Sequence, residues 1–187
     1  MTSQFFTLAN QLTLLRLALI PFFAVAVLGR HYDWALALLL AAGVSDALDG
    51  ILARSLKQRT ALGAYLDPIA DKLLLSTGFV VLAIRGDLPW TLAILVLGRD
   101  ILIVAIALVI VLAAGLRPFT PSLYGKACTL AQVLAVIAVV AAEVLPGAAL
   151  LWAKDLLLWL TAALTVLSGV HYALRTGKVL YELPPPS

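Results

Sequence analysis

Residues 34–84 read WALALLLAAGVSDALDGILARSLKQRTALGAYLDPIADKLLLSTGFVVLAI. Two apolar runs flank a short basic segment holding Arg54, Lys57 and Arg59. Asp46, Asp49, Asp67 and Asp71 stand where those runs approach the basic segment. Each run is long enough for a membrane helix, which needs about 20 residues. A carboxylate inside hydrocarbon costs at least ~2.5 kcal/mol, so such groups normally face a polar cavity and serve a function. Asp46 and Asp49 are spaced i,i+3, and Asp67 and Asp71 i,i+4, so each pair occupies one helix face. The two runs are read as antiparallel neighbours whose acidic faces meet.

The rest of the chain has the same character. Of 187 residues, 63% are hydrophobic and only 12% charged, with a mean hydropathy of +1.07. A soluble domain is about half apolar and about a quarter charged. The expectation is an all-α, polytopic membrane protein forming one domain over residues 1–187. Apolar runs at Leu8–Leu28, Trp34–Leu52, Leu62–Ile84, Leu88–Ala114, Lys126–Leu145 and Leu150–Tyr172 suggest about six transmembrane helices. Breaks fall at Gly29-Arg30-His31, Gly86 to Pro89, Pro118 to Pro121 and Pro146-Gly147. No internal repeat is visible, and the C-terminal prolines read as a short disordered tail. No secretory signal is apparent, since Met1 to Ala9 carry no Lys or Arg. Cys128 is the only cysteine, which excludes an intrachain disulfide. No nucleic-acid partner is expected.

Loop cations set the orientation. Arg54, Lys57, Arg59, Arg117, Lys126, Arg175 and Lys178 fall on one side, against Arg30, Arg85 and Lys154 on the other. The richer side should be cytoplasmic and hold both termini. Trp34, Trp90 and Trp152 stand near span starts on the opposite side, as in an interfacial belt. Arg16, Lys72 and Arg99 remain inside spans.

Four like charges converging in a poorly solvated site repel strongly. Protonation of some aspartates or neutralisation by divalent cations would relieve this, and hard oxygen ligands suit magnesium, manganese or calcium. The plainer alternative is that the aspartates pair with Arg16, Lys72 or Arg99 and hold helices together. That reading accommodates one aspartate more readily than four.

The stretch 46–71 matches the pattern D-x2-D-G-x2-A-R-x8-G-x3-D-x3-D at every fixed position. The chain thereby resembles the CDP-alcohol phosphatidyltransferase family, and its hydropathy, span number and length agree along nearly all of its extent. Asn10 to Arg16 and Pro21-Phe22-Phe23 also look like the family's opening segment. The resemblance implies a metal-dependent transfer of a phosphatidyl group from CDP-diacylglycerol to an alcohol. It implies metal ligation of two Mg²⁺ or Mn²⁺ by Asp46, Asp49, Asp67 and Asp71, with Asp71 also the general base. It further implies CDP contacts from Asn10, Thr13, Gly50, Arg54 and Thr60. A homodimer in a bacterial inner membrane, with its site facing the cytoplasm, is the family expectation.

The acceptor is read from the second half. Arg99 and Lys126 could form a basic pocket for an acceptor phosphate, while a structural Arg99–Asp100 contact is the alternative. Gly125 to Gln132 looks like the G-K-x-K-T-x2-Q segment of phosphatidylglycerophosphate synthases, with Cys128 replacing the second lysine. Arg99-Asp100 and a neutral residue at Cys128 are closer to the family's cardiolipin synthases. Glycerol 3-phosphate is ranked first as acceptor, because the opening segment and compact six-span body resemble the phosphatidylglycerophosphate synthases, and phosphatidylglycerol second. His171-Tyr172 is read as a satisfied interfacial pair. A transporter is the competing class, since intramembrane aspartates also mark ion pathways. Transporters often show repeat symmetry between halves, which this chain lacks.

Overall fold

The computed structural model describes residues 8–55, 61–114, 123–145 and 147–181. For 8–10, 12, 46–55, 61–68, 107–114 and 175–181 it describes the backbone alone. Six helices follow in chain order: α1 Leu8–Leu28, α2 Tyr32–Ser55, α3 Ala61–Arg85, α4 Trp90–Ala114, α5 Leu123–Val144 and α6 Ala148–Tyr181. Among the described residues there is no strand. The expected breaks at Pro118 to Pro121 and at Pro146, and the proline tail, lie outside the described residues.

Two of the connections show how the helices stop. At the end of α1, His31 N–H donates to Ala26 C=O and Arg30 N–H to Val27 C=O, which is a Schellman closure. The residue in the left-handed region is Arg30, with φ 62°, rather than the adjacent Gly29. At the end of α3 the same closure uses Asp87 N–H to Leu82 C=O and Gly86 N–H to Ala83 C=O. There Gly86, at φ 83°, supplies the left-handed residue without a Cβ clash. The ends are tied together where Tyr32 donates to Asp87 at 2.5 Å.

The helix bounds follow the apolar runs closely, except that α6 continues past Tyr172 to Tyr181. Its 34 residues span roughly 51 Å at 1.5 Å per residue, more than a hydrocarbon core of about 30 Å requires. Leu123–Val144 and Ala148–Leu174 are long and apolar enough to cross a membrane by length and composition.

α1 packs against both α2 and α3; α4 packs against α3 and α6; α5 packs against α6, α2 and α3. The expected meeting of the α2 and α3 acidic faces falls on 46–55 and 61–68, whose side chains lie outside the described residues. α1 and α5 each pack against both helices, and α1 brings a buried cation, Arg16, to Asp71 of α3.

The core lies in the half of the bundle away from the acidic ends. Phe23 and Val27 of α1, Leu39 of α2, Phe79 and Leu82 of α3, Val96 of α4 and Val140 of α5 are all buried there. Gly78 of α3 sits at a tight crossing, where an added Cβ would come within 3.2 Å of Val136 and 3.7 Å of Phe23. Small residues serve this use wherever membrane helices approach closely. The outward faces are apolar: Phe22, Val25, Ile94, Ile101, Val104 and Leu156 are exposed, as are Trp34, Trp90 and Trp152.

Candidate functional site

The other half of the bundle is polar inside. Thr13 and Arg16, spaced i,i+3 on α1, are both buried, while Gln11, Leu14 and Leu15 are exposed. The inward face of α1 is thus polar at this end. Arg16 Nη1 donates to Asp71 Oδ1 of α3 at 2.8 Å. The arginine side chain is 1% exposed, the aspartate side chain 44%. A buried guanidinium therefore grips a carboxylate that still faces open space.

The remaining motif residues are positioned by backbone alone. Asp46, Asp49, Gly50 and Arg54 lie in the last turns of α2, and Asp67 lies one turn before Asp71 on α3. Helical backbone through both segments keeps each acidic pair on one face. The side chains of Asp46, Asp49, Arg54, Asp67 and Asn10 lie outside the described residues, as does Thr60 altogether. Among the described residues no group of three or more His, Cys, Asp or Glu side chains converges.

Beside Asp71 the chain turns about a quarter of the way round the helix, and Lys72 faces α4 instead. Its Nζ donates to Asp100 Oδ1 at 2.7 Å. Arg99 Nη1 donates to the same oxygen at 2.7 Å, and Arg99 Nη2 donates to Ser168 Oγ of α6 at 2.6 Å. Three helices are thus joined through one carboxylate and one guanidinium. The Arg99–Asp100 contact considered from the sequence is present. Arg99 is buried and committed to α6, whereas Lys126 is exposed in the first turns of α5. No bond bridges the two.

The α5–α6 contact continues the polar lining. Cys128 Sγ lies 3.5 Å from Thr165 Oγ1, and Gln132 Nε2 donates to Cys128 Sγ at 3.5 Å. Thr165 Oγ1 donates to Thr161 C=O at 2.7 Å, the usual way a hydroxyl is satisfied inside a helix. Thr161, Thr165 and Ser168 form a buried stripe on α6. His171 packs against Tyr124 of α5 at 5.0 Å between ring centroids with the planes 45° apart, and meets Tyr172 edge-on at 6.4 Å; its Nδ1 has no hydrogen-bond partner among the described residues. The plainer reading of the sequence, an aspartate paired with Arg16, holds for Asp71; Lys72 pairs instead with Asp100 outside the motif, and Ser168 was not singled out from sequence. The available signal for Arg16 and Lys72 was their placement as cations within apolar runs.

A family model described as CDP-alcohol phosphatidyltransferase matches residues 6–167, most of the chain. The chain belongs to the CDP-alcohol phosphatidyltransferase family. A Mycobacterium tuberculosis protein named "Probable phosphatidylglycerophosphate synthase" is 36% identical over 175 residues, covering 90% of this chain and 80% of that one. A Bacillus subtilis protein named CDP-diacylglycerol–glycerol-3-phosphate 3-phosphatidyltransferase is 31% identical over 191 residues, covering 94% and 97%. The human cardiolipin synthase (CMP-forming) is 30% identical over 196 residues, covering 94% of this chain and 64% of its own length.

As a CDP-alcohol phosphatidyltransferase the chain is an enzyme, and the competing transporter reading falls away. Its polar half has chemical sense in that light. All four motif acids are hard oxygen donors on two helices, a set suited to divalent cations of the magnesium and manganese type. One buried arginine offsets one of those charges, so the residues fit additional cations. Asp71 is held by Arg16 while its side chain stays half-exposed.

Proposed function

We propose that this CDP-alcohol phosphatidyltransferase moves the phosphatidyl group of CDP-diacylglycerol to glycerol 3-phosphate, forming phosphatidylglycerophosphate and releasing CMP. The observation that carries the reading is Asp71, gripped at 2.8 Å by a buried Arg16 while its side chain stays 44% exposed. Support for the acceptor comes from the Bacillus relative, whose length this chain nearly matches.

In this reading Asp71 accepts the proton of the acceptor hydroxyl as its oxygen bonds to phosphorus. The bond from that phosphorus to the oxygen of CMP breaks, and CMP leaves with the electron pair. A carboxylate is a weak base for an alcohol, so proton removal accompanies bond formation. Arg16 fixes the direction of Asp71. Asp46, Asp49, Asp67 and Asp71 would hold two Mg²⁺ or Mn²⁺, which supply charge stabilisation at the diphosphate when bound. Asn10, Thr13, Gly50, Arg54 and Thr60 would contact the CDP moiety, Gly50 by allowing close approach to the helix backbone and Arg54 through its guanidinium. Lys126, exposed at the head of α5, would meet the acceptor phosphate. Arg99 would serve that side indirectly, by holding Asp100 and α6. All six helices would cross the membrane, with the acidic ends at the cytoplasmic face of a bacterial inner membrane and the protein a homodimer.

One observation favours phosphatidylglycerol as acceptor instead. Cys128 is fully buried against Thr165 and Gln132. The second basic residue of the synthase pattern is thus replaced by an uncharged, buried side chain, which suits an acceptor without a free phosphate monoester. The test is CMP release by purified full-length protein with CDP-diacylglycerol, Mg²⁺ or Mn²⁺, and each acceptor separately. Release with glycerol 3-phosphate alone supports the first reading, and release with phosphatidylglycerol alone supports the second. Release with neither overturns both.

A further inference from the structure

Asp71 and Lys72 are consecutive on α3, so their side chains leave the helix about 100° apart. Each is tied to a different neighbour. Arg16 of α1 holds Asp71 at 2.8 Å, and Asp100 of α4 holds Lys72 at 2.7 Å. Asp100 is anchored in turn: its Oδ1 also accepts from Arg99 at 2.7 Å, and Arg99 donates to Ser168 of α6 at 2.6 Å. The Asp100 side chain is 13% exposed, against 42% for Lys72. Apolar packing offers little grip at this level of α3. Ile69 and Leu73 are exposed, and the buried residue beside the pair is Ala70, whose single methyl group has little to interlock. Larger buried side chains, Leu75, Phe79 and Leu82, begin one turn further along.

We infer that Asp100 is a positioning residue for the transfer: through Lys72 it fixes the rotation of α3 about its axis and so aims the Asp71 carboxylate. The inference rests on Asp71 being the general base of the proposed reaction, and it is independent of which alcohol is the acceptor. The leverage is geometric. A side-chain oxygen lies about 6 Å from its helix axis, so a rotation of about 10° moves it by about 1 Å. A misplacement of that size can slow a reaction about 100-fold. Two ties on adjacent flanks resist rotation in both senses, whereas one leaves α3 free to pivot about Arg16. Stability alone does not call for ions here, since a buried pair is often no better than apolar side chains of the same volume. An ion pair supplies what packing at Ala70 lacks, a defined direction.

The test is steady-state CMP release by full-length protein in detergent, with CDP-diacylglycerol, Mg²⁺ and whichever of glycerol 3-phosphate and phosphatidylglycerol serves as acceptor. Lys72→Met should lower kcat about 10-fold, with KM for CDP-diacylglycerol unchanged and the melting temperature near wild type. Lys72→Arg, which still reaches Asp100, should restore most of the rate. Asp100→Asn weakens the bond but leaves the lysine's charge, and it should be slow as well. The double variant Lys72→Met/Asp100→Asn should be no slower than the slower single one, because both act through one bond. Lys72→Leu takes the place of Lys72→Met should the latter not fold. Wild-type kcat in Lys72→Met, a loss confined to KM, or additive losses in the double variant overturns the positioning role. Wild-type turnover by Asp71→Asn would instead overturn the base itself, whatever Lys72→Met shows.

Discussion

Arg16 Nη1 and Asp71 Oδ1 lie 2.8 Å apart across 55 residues of sequence, joining α1 to α3. The pair is asymmetric, with a guanidinium sealed in protein and a carboxylate half in the open. The buried partner has the greater need of the bond, because an uncompensated charge in the interior is costly. The acid gains a fixed direction from the same contact.

Replacing Arg16 with Ala should therefore reduce turnover more than it reduces stability. Loss of a partner from a buried pair costs about 3–5 kcal/mol, but Asp71 is half-exposed and water would take up part of the loss. The expected outcome is a CMP-release rate lowered about 100-fold, of the order of one general-base contribution, with a folded protein by thermal scanning in detergent. Arg16→Lys should recover part of the rate. Turnover tracking stability in both variants would assign Arg16 a packing role only.

Asp71→Asn retains an oxygen able to accept from Arg16 and removes the base. Turnover should fall at least ~100-fold while the melting temperature stays near wild type. Asp71→Ala should also destabilise, since it leaves the buried guanidinium without that acceptor. Single-turnover CMP release together with melting curves distinguishes the two effects. Near-normal release by the Asn variant would remove Asp71 from the chemistry.

Ser168 accepts from Arg99 Nη2 at 2.6 Å, and both side chains are buried. Hydrogen bonds to charged groups contribute about 1.5–3 kcal/mol. Ser168→Ala should lower stability by about 2 kcal/mol, measured as a shift in denaturation midpoint. Ser168→Thr should recover much of it.

The two Schellman closures predict opposite responses. Gly86→Ala places a Cβ at φ 83° and should destabilise by about 1 kcal/mol. Arg30→Gly relieves the same strain at φ 62° and should be neutral or stabilising by up to ~1 kcal/mol. Parallel thermal scans of the two variants give the signs directly.

Much of this was legible along the chain. Apolar run length located the helices to within a few residues at most ends, because the 3.6-residue turn and the demand for internal hydrogen bonding act locally. The continuation of α6 past Tyr172 was not, since residues 173–181 lack the apolar run that marks a span and the helix does not need one. Similarly, Gly29-Arg30 marks a turn in sequence, but which of the two takes positive φ depends on where the last helical hydrogen bond closes.

What the sequence by itself determined is the family, through 46–71, the six helical segments, and the facing of each acidic pair along its own helix. Only the tertiary structure decided that α1 packs against both α2 and α3, that Arg16 takes Asp71, and that Lys72 and Arg99 share Asp100. The physical reason is that helix periodicity fixes a side chain's angle about its own axis. Which charge it meets depends on the packing and rotation of whole helices, and those are set by contacts distant in sequence.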